Sequence, residues 1–207
     1  VFKNKNRDIG ILQAFVLTLL CWIILTFVGS IPFFLGSPNL SFVDSFFESM
    51  SGITTTGATI ITDLDSTPKS MLIWRAMLQW LGGIGIIVIA IAVFPVLRLG
   101  GMQLFKTEFS ARDDKVLPRT KTIALGIGSV YLLLTFVCFI FLVLAGMGLF
   151  DAIAHSMTII ATGGFSTKNM SIGFFDSIYI EIITMVFMLI SALPFLLILQ
   201  TFKGRIF

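Results

Sequence analysis

A chain of 207 residues in which 57% are hydrophobic and only 12% charged, with a mean hydropathy of +1.02, is not an ordinary soluble domain, where about a quarter of residues carry charge. The 14 Lys and Arg exceed the 11 Asp and Glu, but they cluster beside long apolar runs. That placement marks them as membrane anchors, so the basic pI near 9.0 calls for a lipid bilayer and not for nucleic acid.

Lys3, Lys5 and Arg7 precede a long charge-free run, Ile9 to Val43. A helix needs roughly 20 apolar residues to cross a bilayer, and this run exceeds that length. It is too long for a signal h-region and lacks a small-residue cleavage site, so no cleavable signal is expected. Ser41-Phe42-Val43-Asp44 has capping-box spacing and opens a short helix expected over Ser41 to Gly52. The charge-free stretch from Ser49 to Thr62 is too short to span and reads as re-entrant. Arg75 is expected to pair with an acid of that short helix, since an unpaired charge at depth is costly. A second span covers Ala76 to Leu97, and its Gly82-Gly83-Ile84-Gly85 cluster is expected to be a close-packing face.

A mixed apolar and basic stretch, residues 99–121, follows, with Pro118 closing it before a third span, Thr122 to Phe150. A second short helix is expected over Leu149 to Ile160, and the charge-free stretch from Ser156 to Thr167 is again too short to cross. The fourth span covers Ile182 to Phe202. Cys21 and Cys138 lie inside spans without metal-ligand spacing and are read as core residues. His155, the single histidine, is expected to bond within the bundle.

The two short segments align without a gap. Phe42 to Thr59 superimposes position for position on Leu149 to Ser166, which puts Asp44 on Asp151, Ser49 on Ser156, Met50 on Met157, Thr55 on Thr162 and Gly57 on Gly164. The expected architecture is therefore an all-α membrane protein of two tandem helix/pore-loop/helix repeats, 1–98 and 122–207, joined by the linker 99–121. It has four transmembrane helices and two re-entrant loops. Eleven of the fourteen basic residues fall on the termini and linker, leaving Lys69, Arg75 and Lys168 for the opposite side. The positive-inside tendency makes both termini and the linker cytoplasmic.

Non-helical backbone at membrane depth survives only where it is buried in protein or lines a water-filled cavity. A line of carbonyls in such a place replaces the hydration shell of a bare cation. Gly57 and Gly164 supply dihedrals that a Cβ would penalise. The short helices direct their negative C-terminal ends at the same place, which favours a cation. A lone Thr-Thr-Thr-Gly string would equally suit a small-residue helix interface. Two copies in register favour the cation reading.

Ser51-Gly-Ile-Thr-Thr-Thr-Gly-Ala-Thr59, Trp74-Arg75, Gln79-Trp-Leu-Gly-Gly-Ile-Gly-Ile86, Gly100-Gly-Met-Gln-Leu104 and Ala161-Thr-Gly-Gly-Phe-Ser-Thr167, in this order, resemble the TrkH-type subunits of the Trk/Ktr/HKT potassium-transporter superfamily. The resemblance implies a potassium filter at the bacterial cytoplasmic (inner) membrane. One quadrant would be lined by Thr55, Thr56, Gly57 and Ala58, another by Thr162, Gly163, Gly164 and Phe165. Potassium at these residues is the only metal implied, and no cofactor is. Family members have four repeats, of which the chain matches the first two. The chain also opens on Val1. It reads as a fragment or half-length product, to be completed by the missing half or by a second copy about a two-fold axis.

The resemblance further implies that the linker docks a cytoplasmic nucleotide-binding regulatory subunit. A solvated connector is the alternative. Asp44, Glu48, Asp63, Asp65, Asp151, Asp176 and Glu181 fall on the outer side and are expected to concentrate cations there. The spans contain no Ser/His pair, HExxH string or paired aspartates, which argues against an intramembrane enzyme. A non-conducting fragment or assembly partner is the other alternative.

Overall fold

The computed structural model describes residues 11–97, 116–195 and 198. Among these the regular elements are helices: α1 (Ile11–Leu35), α2 (Phe42–Ile53), α3 (Lys69–Leu97), α4 (Val116–Leu144), α5 (Leu149–Ile160), a short 3-10 helix (Ser171–Phe175) and α6 (Ile178–Ala192). Long, short, long occurs twice. α2 packs on α1 and α3, and α5 packs on α4 and α6. The two units meet where α3 lies against α5 and α4.

α1 and α4 each hold a 21-residue apolar stretch long enough to cross a bilayer, Phe15–Leu35 and Ala124–Leu144. Most large side chains of α1 point outward, among them Phe15, Leu19, Ile24 and Val28. Such an apolar surface is stable against lipid and not against water. The inward stripe of α1 is small and polar instead. Thr26, Gly29 and Ser30 are buried, and a Cβ on Gly29 would crowd the Ser49 hydroxyl of α2. That hydroxyl donates to the Thr26 carbonyl at 2.8 Å, and the Trp74 indole of α3 donates to the Gly29 carbonyl at 3.0 Å. Close backbone approach with polar cross-links is how helices associate where apolar burial gives no advantage over lipid.

α2 begins as its sequence requires. The Ser41 hydroxyl accepts from the Asp44 amide at 3.2 Å and donates to the Asp44 carboxylate at 2.7 Å. α5 starts at Gly148 without a side-chain cap.

Several expectations change. The helix of the fourth apolar run stops at Ala192, with Leu193 extended (ψ 147°) before Pro194, and residues 196–197 and 199–202 of that run lie outside the described residues. The proline ring disfavours helical backbone in the preceding residue. α4 begins at Val116, so Pro118 sits inside its first turn, where backbone N–H groups lack intrahelical partners anyway and none is lost. Cys21 is exposed on the outer face of α1 and is no core residue, whereas Cys138 is buried. The stretch 98–115, and the linker motif within it, lie outside the described residues.

Candidate functional site

α2 and α5 end in the same way. Thr54 N donates to Met50 O (2.9 Å), Thr55 N to Gly52 O (2.9 Å) and Thr56 N to Ser51 O (2.9 Å). In the second unit Ala161 N donates to Met157 O (3.1 Å), Thr162 N to Ile159 O (3.0 Å) and Gly163 N to Thr158 O (2.9 Å), donor for donor and acceptor for acceptor in the register of the repeat. The latter two bonds of each set form a Schellman closure, with Thr55 or Thr162 in the left-handed position usually held by glycine. Their φ values are 56° and 53°, and Gly57 and Gly164 follow at 81° and 83°. A β-branched residue at positive φ is strained, and such strain persists only where surrounding structure over-determines it.

These turns leave backbone acceptors open. The carbonyls of Thr55, Thr56 and Gly57, and those of Thr162, Gly164 and Phe165, have no protein hydrogen-bond donor among the described residues. Thr56, Ala58, Thr162 and Gly164 are exposed. Carbonyls and threonine hydroxyls at the negative end of a helix can take the place of water around a cation.

The turns touch. A Cβ on Gly57 would collide with the carbonyl oxygen of Gly163, so this glycine answers both to its φ and to its neighbour. The equivalent space beside Gly164 is open.

A layer of buried polar side chains braces the turns. Glu48 on α2 and Arg75 on α3 are 0% and 1% exposed and pair at 2.7 Å. Glu48 also accepts from the Thr59 hydroxyl (2.9 Å) and the Ile60 amide (3.0 Å). Arg75 donates to the Ser166 carbonyl at 3.1 Å and lies 4.1 Å from the centre of the Phe165 ring. Burial lowers the hydration of both charges, and the pair with its further bonds offsets that cost. The expected Arg75 partner is thus found. Glu48 is removed from the outer acids expected to gather cations, because a carboxylate enclosed with a guanidinium presents no charge to solvent.

His155 takes the place of Glu48 in the second unit and bonds within the bundle as expected. Its Nδ1 lies 2.7 Å from the Asp151 carbonyl, which can only accept, so Nδ1 carries the hydrogen. Nε2 then accepts from the Ser166 hydroxyl at 3.0 Å. The Asp151 carboxylate accepts from the Thr167 hydroxyl at 2.6 Å.

Gln79 on α3 opens one of the strings that carry the family resemblance, yet nothing in its sequence assigns it a role. Its amide nitrogen donates to Gly163 O (2.9 Å) and its oxygen accepts from Phe165 N (3.1 Å). An amide inside the charge-free run Ala76 to Leu97 is the signal that could have found it, and the structure buries it fully. Of the second set of expected residues, Gly163 and Phe165 are buried on Gln79 and Arg75, while Thr162 and Gly164 face outward. The glycine cluster divides: a Cβ would collide with Ile53 at Gly82 and crowd Tyr131 and Ala161 at Gly83, but would meet nothing at Gly85.

The helices, with apolar faces turned outward and two polar helix-ending turns within, define a helical membrane protein. A family model described as TrkH, cation transport protein, matches residues 2–206, and the chain belongs to that family. It is 48% identical over 203 residues to the Trk system potassium uptake protein TrkH of Vibrio parahaemolyticus, covering 97% of this chain and 41% of the relative. It is also 48% identical over 206 residues to the protein of that name in Escherichia coli K12, covering 98% and 43%. The crystal structure of the potassium transporter TrkH from Vibrio parahaemolyticus matches with a TM-score of 0.83 at 44% identity, covering 99% of this chain and 40% of that one. The chain therefore spans about two fifths of the length of these relatives.

Proposed function

We propose that this chain supplies two quadrants of a potassium-uptake path across the bacterial cytoplasmic membrane, as part of a Trk-type transporter. Thr55, Thr56, Gly57 and Ala58 form one filter strand and Thr162, Gly163, Gly164 and Phe165 the other, with potassium coordinated by their open carbonyls and hydroxyls. The observation that carries this reading is the repetition of one strained turn, bond for bond in the two units, with the two copies in contact at Gly57 and Gly163. A packing motif alone would not need open acceptors beside left-handed threonines.

The same contact supports an incomplete ring. Gly57 has the Gly163 carbonyl beside it, whereas Gly164 has open space. In the first turn Ala58 N also lacks a protein partner among the described residues. A further strand packs at each edge, from the remaining half of a TrkH-type subunit or from a second copy. Both termini and the linker are cytoplasmic in this reading, and the linker offers a docking surface to a nucleotide-binding regulatory subunit.

Expression in a potassium-uptake-deficient bacterium tests the proposal, with the chain alone and with the complementary half of a TrkH-type subunit. Growth at low potassium in either arm is expected, and the productive arm identifies what completes the ring. Failure in both, with the proteins in the membrane, would overturn the conducting reading in favour of a non-conducting assembly partner.

A further inference from the structure

The two turns share a backbone but are held in place by different means. In the first, the ties are local. The Thr54 hydroxyl donates to Met50 O at 2.7 Å and lies 2.8 Å from the Thr56 hydroxyl, and the Ser51 hydroxyl donates to the carbonyl of Ala58. At the matching positions of the second turn each of these ties is missing. Ala161 stands for Thr54 and Gly163 for Thr56, neither with a hydroxyl, and Thr158, which stands for Ser51, donates instead to His155 O at 3.1 Å. The second turn is tied instead to the other repeat: beside the Arg75 bond to Ser166 O, Gln79, fully buried, bonds on both sides of Gly164 through Gly163 O and Phe165 N. Gly163 is itself adapted to this, because a Cβ there would collide with the Gln79 amide.

We propose that Gln79 is the positioning residue of the second turn. It sets the orientation of the peptides flanking Gly164 from the first repeat, so that the ion preference of this strand depends on α3, while the first strand is set by its own hydroxyls. This rests on the reading of the turns as filter strands. A planar amide suits the task because it donates and accepts in one plane and carries no charge to compete with the ion. A buried amide held at both ends fixes geometry, and an apolar replacement leaves Gly163 O and Phe165 N unpaired.

The test uses the assembly that supports uptake, purified in lipid nanodiscs with backbone 15N labelling. Gln79→Leu is expected to speed hydrogen exchange at the Phe165 amide by on the order of tenfold or more, that bond being its protection, while leaving the Thr56 amide, bonded to Ser51 O, unchanged. Ser51→Ala with Thr54→Val should leave Phe165 unchanged. In uptake assays Gln79→Leu should lower the preference for potassium over sodium. Should Gln79→Leu disturb folding, a second pair of variants decides. Gly163→Ala should be damaging alone and milder in a Gln79→Ala background, where the amide no longer occupies the space. Unchanged exchange at Phe165, or simple addition of the Gly163 and Gln79 effects, would overturn the clamp. Faster exchange with an intact ion preference would overturn its role in selectivity. If Gly57→Ser and Gly164→Ser also left the preference intact, the filter reading itself would be the part that failed.

Discussion

Glu48 and His155 occupy the same place in the two repeats and grip the same place in the turn that follows: Glu48 accepts from the Thr59 hydroxyl and His155 from the Ser166 hydroxyl, each partner 11 residues on. One is an anion neutralised by Arg75, the other a neutral ring oriented by the Asp151 carbonyl. Like geometry is thus reached by different chemistry, and the energetic consequences of removing each differ.

Glu48→Gln leaves the Arg75 guanidinium buried without its counter-charge and should destabilise the fold by about 3–5 kcal/mol. His155→Ala strands only neutral groups and should cost about 1–3 kcal/mol. Thermal unfolding in detergent provides the comparison, and Glu48→Gln combined with Arg75→Gln should cost less than the sum of the two single changes. Strict additivity would mean that the pair contributes no coupling.

Gly57 and Gly164 share a left-handed backbone, but only Gly57 has a carbonyl where its Cβ would be. In the chain alone Gly57→Ala should therefore be the more damaging, with Gly164→Ala costing roughly the 1–2 kcal/mol of a left-handed side chain. In a completed ring the two should become alike, as a further strand closes on Gly164. Equal costs in the chain alone would contradict the contact.

Ion preference should follow the same residues. Gly57→Ser and Gly164→Ser are expected to weaken discrimination of potassium from sodium in a completed transporter. Gly83→Ser, which would press on Tyr131 and Ala161 instead, should lower expression or stability and spare selectivity. Competitive uptake of the two ions measures both.

Topology is checked by labelling. In a background lacking Cys21 and Cys138, cysteine placed at Lys168 or Asp63 should react with an impermeant reagent from the periplasmic side, and cysteine at Lys115 should not. The reverse pattern would invert the whole arrangement.

The loops that follow α2 and α5 are joined by Asn169, whose side-chain oxygen accepts from Leu64 N at 2.7 Å and whose nitrogen lies 3.4 Å from the Asp63 carboxylate. Asp63 is held below the ordinary carboxylate value of 3.8, first by the Ser66 hydroxyl and then by Asn169. A folded-state pKa below the unfolded one adds stability above the unfolded value and loses it as pH falls through the folded value. Asp63→Asn should therefore be less stable than the native chain at neutral pH, with the gap closing only in acid well below pH 3.8. A gap independent of pH would assign the effect to something other than ionisation.

Much of the fold is written locally. Ser41 and Asp44 mark the start of α2, Gly57 and Gly164 mark left-handed backbone, and the gapless match of the two short segments announces two turns of one kind. Arg75 required a partner for the reason that any charge at that depth does, and a nearby acid was available. The break at Leu193 was legible as well, in Pro194, and was masked by the apolar run around it.

Other features depend on what meets what. Cys21 and Cys138 look alike in sequence, yet one faces outward and the other inward, since an apolar helix carries no sign of which side another helix will cover. Glu48 reads as a surface acid until α3 encloses it. Gln79 acquires its partners 84 and 86 residues away, and Gly163 is glycine because of that amide. Residue type and spacing determined the helices, the turns and the repeat, because those rest on bonds between near neighbours in the chain. Which turn is braced by its own hydroxyls and which by a distant amide was decided only when α3 packed against α5, because a hydrogen bond across a helix interface depends on position in space and not on separation along the chain.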